Sequence, residues 1–218
     1  MTNDEYEVEW VENLRAQAAN TVDLLGNARR KELERRTCAA FLRCAGISFE
    51  TGDLQASEDE PPDVLFRSAC FEVTVVYDKG RTMHQDWKVA LKRRSRARKI
   101  EELFDPYHPP ETKNRQAIVD SVIEASQKKV DKYIARGRAR SDLELLVYVN
   151  QNVVMDGTTP KPACNALTDH GWRTVSILVP PQSYVVLAGD EAPKFLVDQL
   201  DIVKASWPEL SGIGLFEI

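Results

Sequence analysis

The chain has no run of apolar residues approaching the roughly 18 that suggest a membrane helix. Its four cysteines, Cys38, Cys44, Cys70 and Cys164, form no CxxC pair and no zinc-type spacing. They read as small apolar residues in a reducing compartment. The three histidines, His84, His108 and His170, are scattered and none has a second His at i+4, which argues against a histidine metal site. The first twelve residues carry five acids and no base, the wrong charge for a signal or transit peptide. These absences lead to the expectation of a soluble cytoplasmic protein without a membrane partner. What is there is ordinary for a globular protein: 218 residues, 43% apolar and 29% charged. That length suffices for a full hydrophobic core without staples. A single domain over 1–218 is expected.

The net charge of −5 conceals an asymmetry. Residues 79–99 hold nine bases and one acid, so this segment carries +8 and the remainder −13. An acidic body with one dense basic segment points to a polyanionic partner. Repulsion within a nearly single-signed run costs stability unless a partner relieves it. The expected phosphate contacts are Lys88, Lys92, Arg93, Arg94, Arg96, Arg98 and Lys99. Trp87, among them, reads as a packing residue of its helix.

Apolar residues at Tyr6, Trp10, Leu14, Ala18, Val22 and Leu25 have helical spacing. A second helix is expected from about Arg29 to Ala45. The period then changes. Strands are expected at 47–51, 63–67 and 69–77. Only Arg67-Ser68 separates the last two, which predicts a tight antiparallel hairpin. The basic segment reads as a helix over 83–104. Proline pairs then interrupt the chain. A long helix follows over 113–135, its inward face at Val119, Ile123, Ser126, Val130 and Tyr133. Residues 143–150 read as an interior strand. The last third alternates a helix at 162–169, strands at 174–179 and 184–188, and a helix at 193–205. The fold class is α/β, a mixed central sheet flanked by helices.

Glu72 lies inside the apolar third strand and is costly to bury unpaired. A metal ion, an arginine or an exposed edge must compensate it; Arg67 is a candidate ion-pair partner. The hairpin can set Asp63 beside Glu72. Two carboxylates that close repel, and a divalent cation resolves the repulsion.

Pro62-Asp63, followed by Glu72-Val73-Thr74 on a strand hairpin after a helix, resembles the restriction-endonuclease-like superfamily, whose motif is PD-(D/E)xK. Within it the chain is similar to a small bacterial family of endonucleases of unknown function. The resemblance implies a nuclease-like core over 29–150, an N-terminal helix extension over 1–28 and a C-terminal α/β extension over 151–218. It implies a Mg²⁺ or Mn²⁺ site formed by Asp63, Glu72 and the carbonyl of Val73, with Glu34 as an extra acid. The site would activate water and stabilise charge on a scissile phosphate. Nucleic acid, DNA first, would be the partner, and a homodimer is one arrangement such enzymes adopt.

One departure matters. The motif lysine is replaced by Thr74. Lys79 and Lys88 are the candidates to replace it and complete the catalytic set with Asp63 and Glu72; Gln127 and Lys128 are weaker ones. Two function classes follow: a metal-dependent endonuclease, or a catalytically weak or inactive module of the same fold that binds nucleic acid or a protein through residues 79–99.

Overall fold

The computed structural model describes residues 3–59, 61–78, 80–103 and 108–205. The chain divides into two compact units, Met1–Leu33 with Tyr77–Pro109, and Glu34–Val76 with Pro110–Ile218. No helix among the described residues is long and apolar enough to cross a membrane.

The first unit contains α1 (Asn3–Leu24), the first turn of α2 (Arg30–Cys44), and α3 (Met83–Arg94). A small core joins Val11, Ala97 and Leu103, with Leu14 and Ile100 against it. α1 buries Val11, Ala18, Thr21 and Leu24, while Tyr6 and Trp10 are exposed. Spacing sets the period of an amphipathic helix but not its phase. The basic helix ends at Arg94, earlier than expected, followed by a short 3-10 turn at Ile100–Leu103. Arg15 explains the stop: its guanidinium donates to the carbonyls of Arg94 (2.7 Å) and Ala97. An external donor thereby satisfies carbonyls freed at the helix end.

The second unit holds the large sheet. Its elements are β1 (Gln55–Ala56), β2 (Val64–Phe66), β3 (Ala69–Tyr77, its last residue counted with the first unit), β4 (Glu111–Asn114), α4 (Arg115–Ala135), β5 (Glu144–Asn150), β6 (Val153–Asp156), α5 (Asn165–Asp169), β7 (Thr174–Val179), β8 (Gln182–Ala188), α6 (Lys194–Val197) and β9 (Val203–Ala205). Among the described residues the sheet runs β1-β2-β3-β5-β7-β8-β9, with β4 and β6 forming a separate parallel pair. β5 and β7 are parallel, whereas the β1–β2, β2–β3, β7–β8 and β8–β9 pairs are antiparallel. The protein is therefore α/β with a mixed sheet.

The β2–β3 hairpin turns at Arg67-Ser68 as expected, Arg67 adopting φ +52°. The expected strand at 47–51 does not form. Asp53 caps a 3-10 turn (Thr51–Asp53) by accepting the Glu50 N–H at 2.9 Å, and the pairing strand is β1 instead. At the C-terminal end a single helical turn replaces the expected helix over 193–205. Asp201 (φ +62°) redirects the chain into edge strand β9.

Phe41 of α2 packs edge-on against Phe71 of β3, ring centres 6.3 Å apart. The larger core lies between α4 and the sheet, from Ile118, Val122, Val130 and Tyr133 to Leu145, Val147, Val175 and Ile177. α4 starts two residues later than expected because Asn114 caps it, its side chain accepting the Ala117 N–H at 2.8 Å. Asn114→Ala is expected to cost about 1 kcal/mol in urea unfolding.

A buried polar group fixes α4 along its axis. Trp172 Nε1 donates to Ser126 Oγ (2.9 Å), and Ser126 Oγ lies 2.6 Å from His170 Nδ1. Ser126 Oγ thus accepts from the indole and shares a second hydrogen bond with the imidazole. Burial holds the His170 pKa below its usual value. The same Trp172 ring packs edge-on against Tyr133 at 5.5 Å.

Candidate active site

Val64 lies opposite Phe71, Leu65 opposite Cys70 and Phe66 opposite Ala69. Asp63, one residue before β2, extends this pairing: its N–H donates to the Phe71 carbonyl (2.9 Å) and its Oδ2 accepts the Val73 N–H (2.8 Å). The Asp63 carboxylate is thus held beside Glu72, as the hairpin predicted. Both are almost wholly buried, at 3% and 4% exposure, and Glu34 on α2 is buried too.

Glu72 does not pair with Arg67. That guanidinium stacks over Phe66 and donates to the Ser48 carbonyl. The cation on Glu72 is Lys129, from the middle of α4, whose Nζ contacts Oε1. The Tyr133 hydroxyl, one turn further on, also hydrogen-bonds Glu72. Burial and the adjacent Glu72 push the tyrosine pKa up, so it stays protonated as a donor. The helix register set by Ser126 therefore places Lys129 and Tyr133 on the same acid.

Desolvation, then repulsion from Glu72 and Glu34, raises the Asp63 pKa from the usual 3.8 to about 7, against the Val73 N–H and Lys129. The folded carboxyl holds its proton more tightly than the unfolded one. Its stabilising contribution is full below about pH 4 and is lost as pH rises through about 7. In EDTA, Asp63→Asn should match wild type in urea unfolding near pH 4. At pH 8 the variant should be more stable, by a few kcal/mol.

The donor set is oxygen, which suits a hard cation. Among the described residues, no three His, Cys, Asp or Glu side chains gather as a metal-holding group. The buried pair Asp63 and Glu72 still fits Mg²⁺, which commonly uses one or two carboxylates and keeps several waters. Glu34 bears on the pair through its charge. Val73 has a buried side chain and is tied to Asp63 through its N–H.

Lys88 is an exposed residue of α3, and Lys79 lies outside the described residues. Of the basic segment, Lys92, Arg96, Arg98 and Lys99 are exposed, and Arg93 and Arg94 half-buried. Arg94 serves the first unit's own packing, stacking 5.3 Å over the Trp87 ring and donating to the Leu14 carbonyl at 3.1 Å. An open groove of about 370 Å³ is lined by Val89, Lys92, Arg93, Arg96, Ala97 and Glu102.

Sequence reasoning missed Lys129. The signal was its position, three residues after Ser126 and four before Tyr133, at the edge of the apolar face.

A family described as "Putative endonuclease, protein of unknown function (DUF1780)" matches residues 6–204. The chain belongs to this family. No curated protein matches it. It is also similar to a solved structure from Pseudomonas aeruginosa strain PAO1, described as a protein of unknown function of a monooxygenase superfamily. That match has a TM-score of 0.65 and 28% identity, over 94% of this chain and 97% of the other.

Proposed function

We propose that the protein is a metal-dependent nuclease that hydrolyses nucleic-acid phosphodiesters at Asp63, Glu72 and Lys129. The observation that carries this reading is the lysine. The motif position holds Thr74, and α4 brings Lys129 onto Glu72 instead. Two acids and a lysine are the groups of the PD-(D/E)xK motif that the sequence resembles. The Pseudomonas description belongs to that protein; no residue grouping described above favours oxygenation over hydrolysis.

Asp63 and Glu72, completed by the Val73 carbonyl, would hold Mg²⁺ or Mn²⁺, with Glu34 adding negative potential. The cation would supply an activated water and neutralise charge on the phosphate. Asp63 is oriented by the Val73 N–H, and Glu72 by the Tyr133 hydroxyl. Lys129 Nζ would orient the attacking water and stabilise developing negative charge. Lys88, Lys92, Arg96, Arg98 and Lys99, exposed in the first unit, are suited to backbone phosphates.

The test is cleavage of single- and double-stranded DNA and RNA with Mg²⁺, Mn²⁺ or EDTA, by wild type and Asp63→Ala purified in parallel. Metal-dependent cutting by wild type that is lost in Asp63→Ala is expected. Cutting that survives in Asp63→Ala places the activity elsewhere. Binding without cutting, weakening steeply with salt, would replace the enzyme by a binding module.

A further inference from the structure

The geometry points to Lys129 as an internal stand-in for the divalent cation: it occupies Glu72 while the site is metal-free and leaves that carboxylate when Mg²⁺ or Mn²⁺ binds. The inference rests on the nuclease reading above and adds to it how the site is switched on.

Three observations lead there. The Lys129 and Glu72 side chains are 13% and 5% exposed, so this is a buried pair rather than a surface contact. Neither charge could be buried there alone without a large penalty. Lys129 is therefore the counter-ion that lets Glu72 stay in an apolar strand before any metal arrives. Second, the same carboxylate is one of the two that would ligate the cation. An ammonium and a divalent cation sharing one carboxylate at low dielectric repel strongly. Third, the backbone that carries Lys129 is pinned. Ser126, one turn earlier, is locked between Trp172 and His170, and Tyr133, one turn later, packs on Trp172. The movement falls to the lysine's flexible four-carbon stem, not to the helix.

Two consequences follow. Lys129 and the cation are linked reciprocally, so the lysine weakens metal affinity in the wild-type protein. Its departure from Glu72 also frees the ammonium group beside the acids only when metal is present, so its contact with the attacking water and metal loading are coupled.

The test uses the full chain. Mn²⁺ affinity is measured by calorimetry for wild type and Lys129→Met, with folding checked by circular dichroism. Removing the competitor should tighten Mn²⁺ binding by about 5–150-fold, the usual range of coupling between two sites, even though cleavage is lost. A second measurement does not depend on that variant folding. Lysine Cε–Hε NMR cross-peaks of wild type are followed during Mg²⁺ titration, with Lys129 assigned through Lys129→Arg. The Lys129 peak should move in step with Mg²⁺ saturation. Equal or weaker Mn²⁺ binding by folded Lys129→Met, or a Lys129 peak unmoved at saturating Mg²⁺, overturns the stand-in role and leaves the nuclease reading intact. No cation binding by wild type overturns both.

Discussion

Lys129→Met should lower metal-dependent cleavage by about 10²–10³-fold in single-turnover assays, the range for a lost donor to developing negative charge. Substrate binding through the exposed cations of the first unit should change little. The size of the effect follows from where the lysine sits. Its Nζ is the sole cationic group seen on the Glu72 carboxylate among the described residues. Arginine at this position should not restore the rate, because a guanidinium presents a planar fork instead of a compact point donor. A lysine returned to the motif position, as Thr74→Lys on the Lys129→Met background, should recover part of the rate. Residues 72 and 74 of a strand share a face, so a lysine at 74 lies on the side of Glu72. A Lys129→Met protein that is folded and cleaves at the wild-type rate would remove the lysine from the mechanism.

Arg173→Met should destabilise the protein by about 3–5 kcal/mol at neutral pH, the usual cost of breaking a buried ion pair from one side. Glu144 is fully buried in β5, where its Oε1 accepts from Arg173 Nε at 2.5 Å and its Oε2 accepts the Cys70 N–H. Burial already raises the Glu144 pKa against the opposing pull of Arg173. Without that guanidinium the carboxyl must take up a proton to stay buried. Its folded pKa then rises further, so the contribution to stability is present at low pH and lost as pH rises. Urea unfolding of Arg173→Met should therefore show its largest deficit at pH 8 and recover toward pH 5. A deficit independent of pH would mean that lost packing, not the orphaned charge, sets the cost.

The Glu72 and Glu144 sites show how much of the account could be read before the structure. Each is an acid in a strand that is otherwise apolar; the need for compensation was read at Glu72, while Glu144 passed as part of an interior strand. Which cation supplies it depends on residues distant in sequence. Lys129 lies 57 positions from Glu72, and Arg173 lies 29 from Glu144. No local pattern encodes such pairings. The hairpin was legible because two residues between two strands leave the chain few choices, and Asp63 beside Glu72 followed from it. The interior strand β5 was legible from its unbroken apolar run. Lys129 was not, because a long side chain at the edge of an apolar helix face reads equally well as solvent-facing. Short β4 and β6, paired only with each other, carry too few residues to show a period. The phase of α1 was decided by packing around Val11 and by Arg15 capping α3, contacts that an isolated helical repeat does not contain.

The account stands on the buried acid pair acting as a cation site. Mn²⁺ binding followed by electron paramagnetic resonance tests this directly, in wild type, Asp63→Asn and Glu72→Gln. The prediction is saturable binding by wild type that is lost or weakened by at least tenfold in both folded variants. Wild-type binding that both variants retain unchanged, or no binding by wild type, would contradict it.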